Sequence, residues 1–574
     1  MILAQTVSQI ADRSRFVAST IIVTLLAVAL IAPTLGAPGD LDPTFGAGRG
    51  FVVQRFSTPE SSYGWSVAVQ SDGRIVMGGA CGQLMCVARF GTTGELDLGF
   101  GVNGRAIAHV GQGANDGRAI LVDAVGRILI GGSCATTNIG NSTGFCVVRF
   151  LPNGTLDTSF GATGAASAAL YGAGFDFLNS MAIGQGGSVL LVGECSPTGD
   201  VYDLCAAKLT PDGVLDPQFG ALGKAVFPTP GGSSSGRSVV VQTDGRWLVS
   251  GYRYQYWFDF SAWRLTTDGQ LDPTFGNGGL VSSKFEGLLT DIGLSTDRGY
   301  ASALQRDGKL LIVGSCLGIL ENYTEHFCLL RYDSAGRLDM SFGTNGQVVG
   351  AGSSTNPNRA IAVSIQRDGK LVVGGNCGAS IGWSFCIARF NSDGSVDSGF
   401  GTAGRTVVKL DSSLNNSAGV ALQADGQIVL AGSCGNKFCL ARFQRGAYDA
   451  AQCALNLDAN LTIDSATDAL LTTRYLLGLR GTALTDGAVG PNPGRSNAEI
   501  EAYLADLLAQ GKLDADGDGQ TLAMTDGLLI LRAMLGFSGD ALTAGAVNAT
   551  HPNVRNAQQI LTWVESTHGV ACLP

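Results

Sequence analysis

A chain of 574 residues with 45% hydrophobic content and 83 glycines is that of a folded protein full of tight turns, not a disordered one. Its formal charge of −10, with no cluster of Lys or Arg, excludes nucleic acid as a partner, because phosphate backbones demand concentrated positive charge.

Residues 1 to 36 read as a secretory signal peptide. Arg13 and Arg15 precede an apolar run from Phe16 to Ile31, and small residues surround a cleavage point after Gly36. An uncleaved anchor competes, since Phe16 to Ala37 just reaches bilayer length. Ser19, Thr20, Thr24 and Pro33 interrupt the run and favour cleavage, which leaves no membrane span in the mature chain.

Residues 37 to 446 are repetitive. The string L-D-x-x-F-G recurs from Leu41, Leu96, Leu156, Leu215, Leu271 and Leu338, and as Val-Asp from Val396, with the aspartates 55 to 67 positions apart. After it, an alternating stretch such as Ser66 to Gln70 meets Asp72-Gly73 and then Arg74 to Gly79. An Asp-Gly pair between two period-2 apolar runs predicts a hairpin closed by a type I′ turn. Two units have Ala124-Val125-Gly126 and Gln185-Gly186-Gly187 there instead. A second hairpin runs from Phe145 to Phe150, turns at Pro152-Asn153-Gly154 and enters Leu156-Asp157 as a further strand. Four short strands per unit, seven times over, predict a seven-bladed β-propeller. Arg442-Phe443 has no L-D after it and Leu41-Asp42 has no R-F before it, so pairing these ends closes the ring, whereas an open solenoid leaves both edges bare.

The L-D-x-x-F-G-x-x-G opening, the Q-x-D-G-K/R turn and the A-R-F close, over about residues 40 to 445, resemble delta-60 repeat proteins. The resemblance implies a bacterial, usually exported β-repeat protein and brings no established activity.

Twelve of fourteen cysteines pair at one place in the unit, between its third and fourth strands when L-D is counted first. The pairs are Cys81 with Cys86, Cys134 with Cys146, Cys195 with Cys205, Cys316 with Cys328, Cys377 with Cys386, and Cys434 with Cys439. One unit carries Arg253 and Ser261 instead. Losing both partners together is what a disulfide predicts, because a single leftover thiol is reactive. Zinc wants four ligands, and no further Cys or His accompanies each pair. Each short staple stabilises by about 2 to 3 kcal/mol when relaxed, and persists only in an oxidising compartment: periplasm, cell surface or medium. Cys453 and Cys572 bracket the remainder and are expected to close it.

Residues 447 to 574 form a duplicated helical module. Leu457 to Asn460 matches Leu513 to Asp516, and Thr467 to Leu471 matches Thr525 to Leu529. The second loop sets Asp514, Asp516, Asp518, Gln520 and Asp526 at calcium spacing, with Gly519 for the sharp turn, although it is one residue longer than a standard twelve-residue loop. The first sets Asp458, Asn460, Thr462, Asp464 and Asp468, two residues shorter than its partner and without the glycine. Calcium is expected in the second loop before the first; solvated acidic turns capping helices are the competing reading. Duplicated loops leading into L-L-x-x-R-x-x-L-G helices resemble dockerin modules. That resemblance implies calcium-dependent docking to a partner protein, with a calcium-folded cap as the alternative.

Catalytic patterns are absent. His109, His326, His551 and His568 have no second ligand at metal spacing, and Gly232-Ser233-Ser234-Ser235-Gly236 reads as a flexible loop without a nucleophile's strand-to-helix context. The L-D aspartates and A-R-F arginines recur in almost every unit, with Lys208 replacing Arg once, and so read as a pairing that serves the blade. Symmetry breaks most in the unit without cysteines, where Trp247, Tyr252, Tyr254, Tyr256, Trp257, Phe258, Phe260 and Trp263 fall within seventeen positions. They are candidates to stack on sugars or partner side chains, with loop packing as the alternative. His326, with Glu321, Tyr323 and Glu325, is a weaker candidate for the same rim. A non-catalytic binding or scaffold protein engaging carbohydrate, envelope or protein partners is the expected function. A polysaccharide-degrading hydrolase or lyase, which needs two converging acids, is the alternative.

Overall fold

The computed structural model describes residues 36–56, 61–111, 113, 115–135, 142–171, 174–285, 296–318, 324–350, 357–379, 382–423, 425–446, 453–459, 463, 465–490, 493–547, 551, 554–569 and 572. Residues 1 to 35, nearly all of the expected signal segment, lie outside them, as do Asn460, Thr462 and Asp464 of the first acidic loop and Glu321 and Tyr323. Pro38–Pro574 forms one compact unit.

Twenty-eight strands make seven four-stranded antiparallel sheets. The first blade runs Ser62–Val69, Ile75–Cys81, Leu84–Phe90 and Arg105–Ala108, in sequence order from the centre outward. Its second strand is buried along its whole length, because neighbouring blades cover both faces. That is why this strand reads as an unbroken apolar and glycine run while the first alternates. Seven hydrophobic cores lie between adjacent blades, and one joins Ile75 and Met77 of the first to Val429 and Ala431 of the last. The ring closes as the orphaned ends require: Phe51–Gln54 pairs with Phe438–Phe443 as the outer strand of the seventh blade, and Leu41 bridges Phe443.

Three local expectations are corrected. The L-D segment is not the outer strand: Leu96 makes one bridge to Phe90, and the fourth strand starts only at Arg105. The Asp97 carboxylate accepts from the Gly99 N–H at 3.1 Å, and Gly101 and Gly104 take positive φ, so the chain loops out before returning. The Asp-Gly turns are not type I′, since Asp72 keeps negative φ. Gly73 N–H bonds the Gln70 carbonyl and Gln70 N–H that of Arg74, a type I turn ending in a left-handed glycine, with the Asp72 carboxylate accepting from Arg74 N–H. Ala124-Val125-Gly126 forms the same turn because Asp123 supplies that carboxylate. The Gly232 to Gly236 segment is no flexible loop. Ser233–Val241 is the inner strand of the fourth blade, and the buried Ser234 hydroxyl accepts from Leu204 N–H at 2.9 Å.

All fourteen cysteines are disulfide-bonded, in the pairs expected. Cys81 is joined to Cys86, Cys134 to Cys146 and Cys195 to Cys205. Cys316 is joined to Cys328, Cys377 to Cys386 and Cys434 to Cys439. Because the L-D segment is not a strand of the sheet, the position of these six staples is corrected too: each joins the second and third strands of its blade, counted from the centre. Cys86, Cys146, Cys205, Cys328, Cys386 and Cys439 all lie on third strands, each directly opposite a glycine of the second strand. Cys453–Cys572 closes the helical module. This density of disulfides fits an oxidising, extracellular compartment. No helix among the described residues is long and apolar enough to cross a membrane.

The module has its own core and shows its duplication in three dimensions. Arg474 bonds the Leu484 and Asp486 carbonyls as Arg532 bonds those of Leu542 and Ala544. Capping boxes start both long helices, Ser496 with Glu499 before Asn497–Ala509 and Asn556 with Gln559 before Ala557–His568. The module rests on turns between first and second strands, where Arg306 meets Glu565 at 3.4 Å and Arg367 donates to the Ile463 carbonyl at 2.8 Å.

Candidate functional site

The repeated charges serve the scaffold. Each A-R-F arginine, or Lys208, lies 2.7 to 3.0 Å from its L-D aspartate. It also donates to a turn carbonyl of the next blade, as Arg149 does to Pro211 and Arg331 to Ser392, both at 2.6 Å. The six arginines stack 4.5 to 4.8 Å over the F-G phenylalanines. Asp, Phe and Arg thus form one clamp, repeated around the ring, that binds blade to blade.

The centre is where the blades differ. Every inner strand carries a β-bulge at the same register, opposite a glycine of the second strand. That glycine is required: a Cβ on Gly79, Gly132 or Gly432 would sit 1.6 to 2.0 Å from a carbonyl oxygen of the bulged strand. Bulges re-aim side chains and recur beside binding sites. Here the seven extra residues are Trp65, Arg118, Asn179, Arg237, Tyr300, Ile361 and Ala418, and all line one end of a central cavity of about 690 Å³. The next residue in each strand is Ser, Ala or Gly, which keeps the cavity open below this ring.

Three arginines and no carboxylate occur among the described lining residues. Arg118 pairs with Asp116 at 2.7 Å and lies 5.5 Å from the Trp65 ring, which stacks on Tyr63. Arg359 pairs with Glu325 and lies 5.2 Å from the Trp383 ring. Arg237 donates to the Asn179 side-chain oxygen at 3.2 Å and lies 5.9 Å from the Tyr300 ring, and no carboxylate among the described residues pairs with it. None of these ring residues was singled out from sequence. The signal was present: through the hairpin register, the glycine in each second strand's apolar run pairs with the residue just before the ring residue.

The aromatic cluster of the fourth blade divides. Trp247 and Trp263, 2% and 4% exposed, pack between blades and are corrected from ligand contacts to core. Phe260 packs on Phe285 in the next inter-blade core. Tyr254, Tyr256 and Trp257 are exposed at the hairpin between second and third strands, with Phe258 between Tyr252 and Tyr254 and Arg298 4.1 Å from the Phe258 ring. Trp383 occupies the corresponding hairpin of the sixth blade, so this patch and the channel mouth share one end of the ring. His326 is buried on Thr324–Tyr332 and is not a rim residue.

In the helical module, carboxylate oxygens of Asp514, Asp516 and Asp526 lie within 4.8 Å of one another. Asp526 is buried; desolvation, and then the Asp516 charge, hold its carboxyl above the usual range against the hydrogen bonds it accepts. Asp518 and Gln520 stand outside this cluster: Asp518 accepts from the Gln520 N–H at 2.8 Å and Gln520 is exposed. In the first loop, Asp458 accepts from Gly490 N–H and Asp468 from Leu457 N–H, each at 2.7 Å.

Residues 126–160, 187–219, 242–275, 305–342 and 366–400, one segment in each of five successive repeats, match the model of a domain of unknown function, the DUF5122 beta-propeller, the kind to which delta-60 repeats belong. Among solved structures the chain is similar to a streptogramin B lyase (13% identity, 68% of this chain and 97% of that one, TM-score 0.38). It is also similar to virginiamycin B lyase from Staphylococcus aureus (11%, 68% and 99%, 0.38) and to the polysaccharide lyase Uly1 (11%, 68% and 91%, 0.39). No curated protein matches the chain.

Proposed function

We propose that this is an exported, non-catalytic binding or scaffold protein, whose propeller takes its ligand at the ringed mouth of the central channel. One observation carries the reading: seven symmetry-equivalent bulges bear six residue types around an open cavity, while the recurrent charges are spent on blade clamps. A scaffold that keeps its geometry and varies one ring has placed recognition in that ring. Tyr252, Tyr254, Tyr256, Trp257 and Phe258 extend the same surface outward.

Calcium is proposed in the second C-terminal loop, held by Asp514, Asp516 and Asp526. Gathering three carboxylates, two of them buried, is costly without a cation and fits a hard divalent ion. The module would then serve as a calcium-dependent docking element or as a cap on the propeller.

The test is a glycan and cell-envelope binding screen of the mature protein, with calcium and with chelator, and a product assay on every binder. Binding without turnover, weakened about tenfold or more in Trp65→Ala, is expected. Product formation would instead assign an enzyme. Unchanged thermal unfolding on chelation would remove the metal.

A further inference from the structure

We infer that the channel mouth selects an acidic saccharide, a pyranose chain bearing carboxylates, with Arg237 as the group that pairs the charge. This rests on the mouth being the binding site and names the chemistry it selects.

The protein carries a net charge of −10, yet the mouth has three arginines and no acid among its described lining residues. Asp116 neutralises Arg118 and Glu325 neutralises Arg359, from just outside the cavity. Arg237 is different. It is half-buried, steadied by Asn179 and flanked by Tyr300, with no carboxylate among the described residues in ion-pair contact. Arg237 and the Glu194 carboxylate both act on the Tyr252 hydroxyl without an ion pair between them among the described residues, so the planar guanidinium fork can offer two parallel hydrogen bonds to a ligand carboxylate.

The rest of the mouth suits a sugar better than an acidic peptide. Trp65 and Trp383 bring aromatic rings to the rim, where the C–H faces of a pyranose stack. Asn416 and Ser238 add amide and hydroxyl groups for ring hydroxyls beside these rings. A cavity of about 690 Å³ has the size of a saccharide site.

The mature full-length chain is titrated calorimetrically with a uronic-acid hexasaccharide, a neutral glucan hexasaccharide and hexaglutamate. The uronate is expected to bind at least about tenfold tighter than the neutral sugar, and to weaken as salt is raised. Arg237→Gln should lower uronate affinity about tenfold or more with unchanged melting temperature, and Arg237→Lys should recover part of the loss. Equal binding of the neutral sugar, sensitive to Trp65→Ala but not to Arg237→Gln, overturns the charge selection while the channel remains a binding site. Hexaglutamate binding as tightly as the uronate overturns the saccharide class. Failure of all three probes to bind overturns the inference, and the broader screen then decides whether the channel binds anything.

Discussion

Arg442 Nε lies 2.7 Å from the carboxylate of Asp42, 400 positions earlier in the chain, and this buried pair locks the ring shut. It is the same clamp that Arg149 and Asp157 make within eight residues, but here it joins the two ends of the propeller. Removing one partner of a buried pair leaves an uncompensated charge and costs about 3 to 5 kcal/mol. Arg442→Met should destabilise at least as much as Arg149→Met, and should also free Phe51–Gln54, read as early proteolysis on its N-terminal side. Equal proteolysis of the two variants would show that the outer strand does not depend on this clamp.

Gly132 faces the bulged inner strand of the second blade, and a Cβ there would lie 1.6 Å from the Asp116 carbonyl oxygen. Backbone, not a pliable side chain, stands in the way. Gly132→Ala should therefore lower stability by about 1 to 3 kcal/mol and displace Arg118 from its stack on Trp65. A control at Gly186, where a Cβ meets nothing within 4 Å though φ is positive, should leave Trp65 fluorescence unchanged. Unaltered Trp65 emission and melting in Gly132→Ala would refute the coupling between glycine and ring.

The repeats and the cysteine pairs were legible in the sequence because their residues recur at one place in each unit, and the closure because the two ends, Leu41-Asp42 and Arg442-Phe443, each lack the partner that every other unit has. Arg149 and Asp157 meet because they lie eight residues apart on either side of a turn. The channel ring was not legible in that way. Trp65, Arg118 and Tyr300 share no residue type, and only the register opposite Gly79, Gly132 and Gly314 reveals that they are equivalent. Trp247 and Trp263 misled for the converse reason: aromatic density is visible in sequence, whereas which face of a strand meets the neighbouring blade depends on the assembled ring.

Asp176 occupies the position that Asn115, Asn358 and Asn415 hold in other blades, each opposite the first cysteine of its pair. One carboxylate oxygen accepts from Leu170 N–H at 2.7 Å, and the other is buried without a hydrogen-bond partner among the described residues. Burial pushes this carboxyl up to about 6, above its ordinary 3.8. With the folded value raised, the folded state holds the proton more tightly, so stability falls as pH rises from about 4 to about 6 and the cost is complete above that. An asparagine keeps the acceptor and adds a donor, as Asn115 shows by donating to the Gly113 carbonyl at 2.6 Å. Asp176→Asn should raise the melting temperature by about 2 °C at neutral pH and by nothing below pH about 4. A gain of equal size at both pH values would tie the effect to packing, not to charge.

His568 behaves in the opposite sense. Buried at the end of Ala557–His568 and edge-on to Trp563 at 5.1 Å, its imidazole is pushed down to about 4 by loss of water. The neutral ring belongs to the folded module, and its carbonyl accepts from Ala454 N–H beside the Cys453–Cys572 bond. Because the folded value is depressed below 6.5, the unfolded chain takes up the proton first. The stability this supplies is complete above about 6.5 and is lost as pH falls toward 4. The helical module should therefore loosen over that interval while the disulfide-stapled blades hold, seen as amide exchange rising in Ala557–His568 before it rises in Ile128–Ala135. His568→Phe, which keeps an aromatic ring against Trp563 and cannot titrate, should remove the acid response of the module. A variant that loosened over the same pH interval as the parent would assign the response to other groups.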